Sequence, residues 1–135
     1  MINNEVVESV ASKVWVMPIA DLNECYDEMF DYVMEKTENR ESSFGATLVF
    51  EELFVNIMKY AYGKDSGPVM IKMRVGDNSL DMTFIDAGKL FDPTAYYIGA
   101  NMSKIGGHGI ELVRTYTKTF EYTRVYDLNI TRIVI

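Results

Sequence analysis

The stretch EELFVNIMKYAYG, residues 51–63, has the apolar spacing of a helix, yet it carries a polar residue where the helix should be packed. Four residues fall within about 40° of one line along such a helix: Val49, Leu53, Asn56 and Tyr60. Asn56 therefore lies in the middle of an apolar stripe, where a polar side chain costs about 1–3 kcal/mol unless a partner satisfies it. That partner is either the protein or a ligand, and a core asparagine satisfied by the protein, beside a surface Glu52, is the commoner case.

The composition is that of one globular domain of 135 residues, with 48% apolar and 24% charged residues. The net charge of −7 argues against a clustered positive surface, so we expect no direct nucleic-acid partner. The single cysteine, Cys25, excludes an intramolecular disulfide and a multi-cysteine metal site. The first residues, MINNEVVESV, lack the basic and apolar segments of a signal peptide or a membrane span. We therefore expect a cytoplasmic protein with no membrane partner.

The first part of the chain predicts a strand followed by a helix. Residues 5–17 are rich in valine and alternate loosely, which is typical of a strand, and Pro18 ends it. Asp21 followed by Glu24 is typical of an N-cap with its capping-box partner. We expect a first helix that runs from there to about Lys36.

A second helix carries the stretch quoted above. Ser42 or Ser43 can cap its start, because a serine hydroxyl accepts a hydrogen bond from the free backbone N–H groups of a first turn. The apolar spacing continues to about Tyr62, and Gly63 is expected to end the helix.

Over residues 69–86 the apolar period is two, which predicts a β-hairpin with its turn at GDNS, residues 76–79. Asp86 has the parity of the apolar Leu80 and Phe84, so a carboxylate faces the core if their side does. The strand would then end on a buried carboxylate.

The remaining residues predict a loop, a helix and a second strand pair. Residues 87–107 have no sustained period and are rich in glycine, which indicates a long loop that is either functional or disordered. A short helix is expected from His108 to about Thr117. Residues 118–135 predict two strands hinged near Asp127.

The segment DAGKLFDP, residues 86–93, joins the inward carboxylate to a glycine. A buried Asp86 can accept a hydrogen bond from an exocyclic amine, and Gly88 allows close backbone approach. The alternative is an ordinary Asp-Gly turn.

The segment GGHGIELV, residues 106–113, places glycines directly before a helix. Backbone N–H groups at such a helix start can face a phosphate, although a flexible loop that merely begins a helix gives the same pattern. His108 is the only histidine and has no cysteine beside it, so it fits a phosphate contact or a solvent-facing residue better than a metal ligand. Lys89 and Lys104 could neutralise phosphate or simply stay solvated.

Glu52 and Asn56 are spaced i and i+4, so they project from the same side of the helix one turn apart. An asparagine oxygen suits Mg²⁺, which commonly takes one or two protein ligands together with phosphates and water. A neighbouring glutamate could deprotonate an attacking hydroxyl. A magnesium ligand, an amine acceptor and a phosphate loop in one chain indicate Mg·ATP.

Three segments in this order resemble the N box, G1 box and G2 box of the GHKL ATP-binding superfamily: EELFVNIMKYAY (51–62), FIDAGKLFDP (84–93) and GGHGIELVRTYTKTFEY (106–122). The resemblance covers about residues 45–135 and is greatest to the small bacterial anti-sigma factor serine/threonine kinases, of which FDP at residues 91–93 is characteristic. Tyr60 and Leu90 depart from the usual histidine and second G1 glycine.

The resemblance implies roles for particular residues. It makes Glu52 the catalytic base and Asn56 the Mg²⁺ ligand. Asp86 would be the aspartate that binds the adenine amine, and Gly88 the glycine beside that site. The loop from about Pro93 onward would be the ATP lid. Five more cofactor-binding positions are expected near the end of this lid: Lys104, Gly106, Gly107, His108 and Gly109. Of these, Gly107 and Gly109 match the family glycines that close over the phosphates.

The resemblance also implies the fold and the function. Residues 1–135 would form a single GHKL domain, an α/β (α+β) two-layer sandwich of the Bergerat type with a mixed, mostly antiparallel sheet and helices on one face. With ATP and Mg²⁺ as cofactors, the protein would be an anti-sigma factor serine/threonine kinase that phosphorylates a STAS-type anti-sigma-factor antagonist and binds a sigma factor, as a possible homodimer. The alternative is a non-catalytic, nucleotide-dependent protein-binding module of the same fold.

Overall fold

The computed structural model describes residues 11–19, 21, 24, 26–37, 40–76, 79–95 and 108–135, with the backbone alone given for 11, 40–43, 108–110 and 112. Five strands lie in this part of the chain: β1 Ala11–Pro18, β2 Pro68–Val75, β3 Leu80–Asp86, β4 Thr119–Val125 and β5 Leu128–Val134. It also contains three α-helices and one π-helical segment that continues the second of them: α1 Tyr26–Thr37, α2 Arg40–Asn56, the π segment Ile57–Tyr62 and α3 His108–Tyr116. None of these helices is long and apolar enough to cross a membrane.

The five strands form one sheet in the order β1-β2-β3-β5-β4. Every strand pairing among the described residues is antiparallel. The core lies between the helices and one face of this sheet, where Phe50 of α2 stacks on Phe84 of β3 at 6.3 Å between ring centroids. Val14 and Val16 are exposed on the opposite face. The predicted two-layer α/β architecture is confirmed.

The β2/β3 hairpin has the register that its apolar alternation predicts. Every second residue of both strands is buried, and the alternation of β3 ends on Asp86, which is 4% exposed and pairs with Val69 across the ladder. The turn is closed by a hydrogen bond of 2.9 Å from Gly76 N to Ser79 O. The predicted buried carboxylate at the end of the strand is therefore confirmed.

The second helix begins earlier than its serines suggest. It starts at Arg40, so Ser42 and Ser43 lie inside its first turn, and the prediction that one of them is the N-cap is wrong. Arginine and glutamate at residues 40 and 41 are good helix formers, and the helix extends through them. Its far end is confirmed at Gly63, whose positive φ of 61° is a value that glycine adopts readily.

The last turn of this long helix is π-helical, which the apolar spacing does not predict. Its end is closed by a bond of 2.9 Å from Gly63 N to Met58 O, five residues apart. The wider turn changes the direction of the side chains after Asn56, so Ala61 and Tyr62 are buried whereas Tyr60 is only half-buried. Such π turns occur frequently at functional sites.

The first helix begins later than predicted. It starts at Tyr26, so Asp21 and Glu24 precede it, and the predicted capping box is wrong. Glu28 in its first turn accepts a hydrogen bond of 3.0 Å from Trp15 Nε1 of β1. Local cap chemistry is outweighed here by a contact with the sheet and by the favourable position of acidic groups at a helix start.

The other predicted boundaries agree with the structure where it describes them. β1 ends at Pro18, and residues 5–10 of the predicted strand lie outside the described residues. The third helix begins at His108. The last two strands turn at Tyr126, with φ of 54°, and Asp127.

Candidate functional site

A narrow cleft separates the second helix from the segment that follows β3. Six residues from four parts of the fold line it: Leu53, Ile57, Asp86, Phe91, Pro93 and Thr131. Its walls are apolar except for the carboxylate of Asp86 and the hydroxyl of Thr131, a composition typical of small-molecule sites. The cleft measures about 10 Å³, which is room for about one water. A flat aromatic ligand therefore has to displace the wall formed by Phe91 and Pro93.

Asp86 is the charged group at the base of this cleft. Its Oδ1 accepts hydrogen bonds of 2.9 Å from Gly88 N and 2.9 Å from Asn129 Nδ2. Burial raises the pKa of the Asp86 carboxyl, while these two hydrogen bonds and the charge of Arg124 act in the opposite direction. Both hydrogen bonds that the described residues donate to this carboxylate reach Oδ1, which leaves Oδ2 as the oxygen for a ligand amine.

Asn129 of β5 is a site residue that the sequence analysis did not identify. It is 2% exposed, and its Nδ2 donates to Asp86 and, at 2.9 Å, to Lys89 O. Its Oδ1 accepts from Arg124 Nη1 at 2.9 Å and from the hydroxyl of Tyr122. The alternation of LNITRIVI could have placed residue 129 on the inner face of the sheet, but nothing in the sequence pairs it with Asp86.

The segment after β3 is fixed against the π segment by backbone contacts. Lys89 N donates to Ala61 O at 2.8 Å, and Ala87 N donates to the hydroxyl of Tyr62 at 3.0 Å. A Cβ at Gly88 would lie 2.6 Å from the carbonyl carbon and oxygen of Ala61. Gly88 therefore allows the close backbone approach that its position in the sequence suggests. The backbone that it approaches is that of the π segment, at Ala61.

Phe91, which lines the cleft, belongs to an aromatic pair. Tyr60 of the π segment stacks on Phe91, with ring centroids 5.0 Å apart and planes 26° from parallel. Phe91 N also donates to Asn129 Oδ1 at 3.3 Å. This stacking contact and this hydrogen bond both help to hold the wall that a ligand must displace.

Asn56 occupies the apolar stripe that its spacing predicts. It is 6% exposed, between the buried Leu53 and Ile57, and its Nδ2 has no hydrogen-bond partner in the described part of the chain. A core asparagine retained for packing alone would normally have such a partner. The orphaned amide is an observation that favours a ligand over the simpler structural role.

Glu52 lies one helical turn before Asn56 and is half-buried. Burial is the largest cause that raises the pKa of its carboxyl, the charge of Glu51 raises it further, and the charge of Lys59 lowers it. A carboxylate with a raised pKa binds a proton more tightly and is therefore a better general base.

The donor set at this site fits Mg²⁺. No group of three or more His, Cys, Asp or Glu side chains that could hold a metal occurs in residues 11–95 and 108–135 as far as these are described. Mg²⁺ does not need one, because it is commonly held by one or two side-chain oxygens together with the phosphates of its ligand. Rotation of the Asn56 amide about its last torsion brings its oxygen to the position now taken by the orphaned nitrogen.

Five predicted site residues belong to the lid and the start of α3. Lys104, Gly106 and Gly107 lie outside the described residues, as does most of the predicted lid. His108 and Gly109 are the first two residues of α3, so a helix start lies where the glycine segment predicts one. Their roles towards a phosphate stay predictions.

The family model of the histidine kinase-like ATPase domain matches residues 33–135, about three quarters of the chain. That range contains α2, the π segment, α3 and β2–β5. A comparison with curated proteins found no match.

Two solved structures are similar to this chain at low sequence identity. The histidine kinase domain from the Erythrobacter litoralis EL346 blue-light activated histidine kinase is 16% identical, with a TM-score of 0.51, and the alignment covers 88% of this chain and 61% of that one. Acinetobacter baumannii histidine kinase AdeS is 13% identical, with a TM-score of 0.48, and the alignment covers 91% and 66%. The chain thus spans less than two thirds of the length of either structure.

Proposed function

The chain belongs to the histidine kinase-like ATPase domain family, and we propose that it binds Mg·ATP and acts as an anti-sigma factor serine/threonine kinase. Its substrate would be a serine or threonine hydroxyl of a STAS-type anti-sigma-factor antagonist, and its second partner a sigma factor. Such a protein regulates transcription through protein contacts, without touching nucleic acid.

The adenine ring would enter the cleft at Asp86. Leu53, Ile57 and Phe91 offer apolar surface to the faces of the ring. Asp86 Oδ2 would accept from the exocyclic amine, and its hydrogen-bonded Oδ1 fixes the direction of the carboxylate. Guanine has a carbonyl at that position, so a nucleotide with guanine would place two acceptors face to face.

The phosphates would lie between Asn56 and the start of α3. Asn56 would hold the cation, which when bound neutralises phosphate charge. The N-terminal end of α3 and the preceding glycines Gly106 and Gly107 would donate backbone N–H groups, with His108 and Lys104 as further contacts. Glu52 would receive the proton of the attacking hydroxyl.

The observation that carries this proposal is the buried Asn56 amide, one turn after Glu52, whose nitrogen has no hydrogen-bond partner among the described residues. A polar group left unsatisfied in a core costs about 1–3 kcal/mol, so a role that emerges only with a ligand accounts for its presence. The anti-sigma assignment is supported by the FDP sequence at residues 91–93, which lies directly beside the cleft.

The test is incubation of the protein with radiolabelled ATP and Mg²⁺ in the presence of small proteins encoded beside it, with Glu52→Gln as the matched inactive variant. Transfer of label to a serine or threonine of one partner, lost in Glu52→Gln, is the expected result. ATP binding with no label on any partner would instead identify the nucleotide-dependent binding module. Absence of ATP binding in calorimetry would contradict both.

A further inference from the structure

We propose that Asn129 is a positioning residue that fixes the Asp86 carboxylate and thereby determines selectivity for a 6-aminopurine nucleotide. This inference rests on the proposed ATP-binding function and adds a specificity determinant on β5, 43 residues from the carboxylate that it orients.

The orientation of the Asn129 amide is determined by its neighbours. Arginine has only donors, so Arg124 Nη1, at 2.9 Å, must face the amide oxygen. Phe91 N is also a donor and reaches the same oxygen at 3.3 Å. The amide nitrogen is therefore directed to the other side, where it finds two acceptors at 2.9 Å each, Asp86 Oδ1 and Lys89 O.

This network decides which oxygen of Asp86 can serve a ligand. Oδ1 receives one N–H from Asn129 and one from Gly88 N, both at 2.9 Å. With Oδ1 held by two donors, the plane of the carboxylate is fixed and Oδ2 is the oxygen left for a ligand in the cleft that Asp86 lines. An acceptor in a fixed direction selects an amine on the ligand and rejects a carbonyl.

Arg124 completes the arrangement from β4. It donates to Gly88 O at 3.0 Å as well as to Asn129. One guanidinium therefore holds both the segment after β3 and the amide that orients Asp86. Loss of this guanidinium should loosen the orientation of Asp86 without removing any atom that touches the nucleotide.

The test compares ATP with inosine triphosphate, which differs in carrying a carbonyl in place of the 6-amine. Asn129→Asp is nearly isosteric but replaces the amide nitrogen with an oxygen, so a second acceptor faces Asp86 Oδ1. The added carboxylate beside Asp86 favours protonation of the pair, and a proton carried on Asp86 Oδ2 can be donated to a 6-carbonyl. We expect the ratio of ATP to inosine triphosphate affinity, measured by calorimetry, to fall by about tenfold or more.

Arg124→Gln is the second variant. The side chain of Arg124 is half-buried, so the fold tolerates its replacement better than that of the buried Asn129. Arg124→Gln should lower the same ratio by about threefold. The matched control is Arg132→Gln, since Arg132 lies on the neighbouring strand and binds the carboxylates of Asp81 and Glu121 instead of the cleft. The control should keep the wild-type ratio.

The outcomes separate the inference from the proposed function. If wild-type protein binds both nucleotides equally or binds neither, the proposed adenine site is wrong and the inference with it. If wild-type protein prefers ATP and the folded Asn129→Asp variant loses affinity for both nucleotides by the same factor, Asn129 has a structural role only and the inference alone is overturned. Should Asn129→Asp fail to fold, an unchanged ratio in Arg124→Gln overturns the inference in the same way.

Discussion

Gly88 lies against the backbone of Ala61 so closely that a Cβ at residue 88 would come within 2.6 Å of the Ala61 carbonyl. The next residue, Lys89, donates its N–H to that same carbonyl at 2.8 Å. The end of the helix and the segment that carries the cleft wall are thus in direct backbone contact. The cleft keeps its shape only if this contact is preserved.

Gly88→Ala should therefore destabilise the protein and weaken ATP binding together. The new methyl group would meet backbone atoms that cannot move aside, and overpacking of this kind costs about 1–3 kcal/mol. Urea unfolding measures the first effect and calorimetry the second. Gly76→Ala is the matched control, because the nearest atom to its Cβ is the hydroxyl of Ser79 at 3.2 Å, which can rotate. Equal stability of the two variants would show that the contact is not required.

Asn56→Ala should weaken Mg·ATP binding while leaving the stability of the nucleotide-free protein nearly unchanged or slightly higher. The substitution removes a buried amide nitrogen that has no described partner, so little is lost in the absence of a ligand. Thermal unfolding with and without Mg·ATP measures both effects. Leu53→Ala one turn earlier is the comparison, because loss of a buried leucine side chain costs about 2–5 kcal/mol. A similar loss in Asn56→Ala would show that the protein itself satisfies this asparagine.

Glu52→Gln should retain ATP binding and lose phosphotransfer on the order of 10²–10⁴-fold, since glutamine cannot accept the proton of the substrate hydroxyl. The measurement is the single-turnover rate of label transfer to the antagonist, with ATP affinity determined separately. Glu51→Gln is the control, because Glu51 is an exposed neighbour on the same helix. Equal transfer rates in Glu52→Gln and wild type would exclude Glu52 as the base.

The stability of the empty protein should depend on pH through Asp86 with a definite sign. Burial raises the pKa of this carboxyl above its ordinary value in the folded state, so the folded protein binds the proton more tightly than the unfolded chain does. This contribution is fully present below the unfolded pKa and is lost as the pH rises through the folded pKa. Asp86→Asn removes it, so the variant should gain stability relative to wild type on going from pH 4 to pH 7.

Urea unfolding of both proteins at the two pH values checks this prediction. The contribution of Glu28, whose pKa is lowered mainly by its hydrogen bond with Lys13, has the opposite sign but cancels in the difference between the proteins. The ATP affinity of the wild type should rise from pH 4 to pH 7, because a protonated Asp86 is a poorer acceptor for the adenine amine. A stability difference that is independent of pH would contradict the assignment of a buried, titrating Asp86.

Local patterns predicted much of the fold because each reports on a single element. The alternation in residues 69–86 gives the hairpin, its register and the inward direction of Asp86, since side chains of a strand alternate strictly between two faces. The helical spacing around Leu53 places Asn56 in the core for the same geometric reason. The predicted helix starts at Asp21 and at Ser42 or Ser43 are wrong, because caps are weak local preferences that neighbouring residues and tertiary contacts outweigh.

The sequence by itself determined the number of strands, the faces on which the side chains of the hairpin lie and the burial of two polar residues, Asn56 and Asp86. Only the tertiary structure decided what surrounds those residues. It places Asn129 within hydrogen-bond distance of Asp86, which is 43 residues earlier in the chain. It also packs Gly88 against the backbone of Ala61 in the π segment. The physical reason is that periodicity fixes the direction of a side chain relative to its own element, whereas a hydrogen-bond partner from another strand depends on the order and register in which the strands pair.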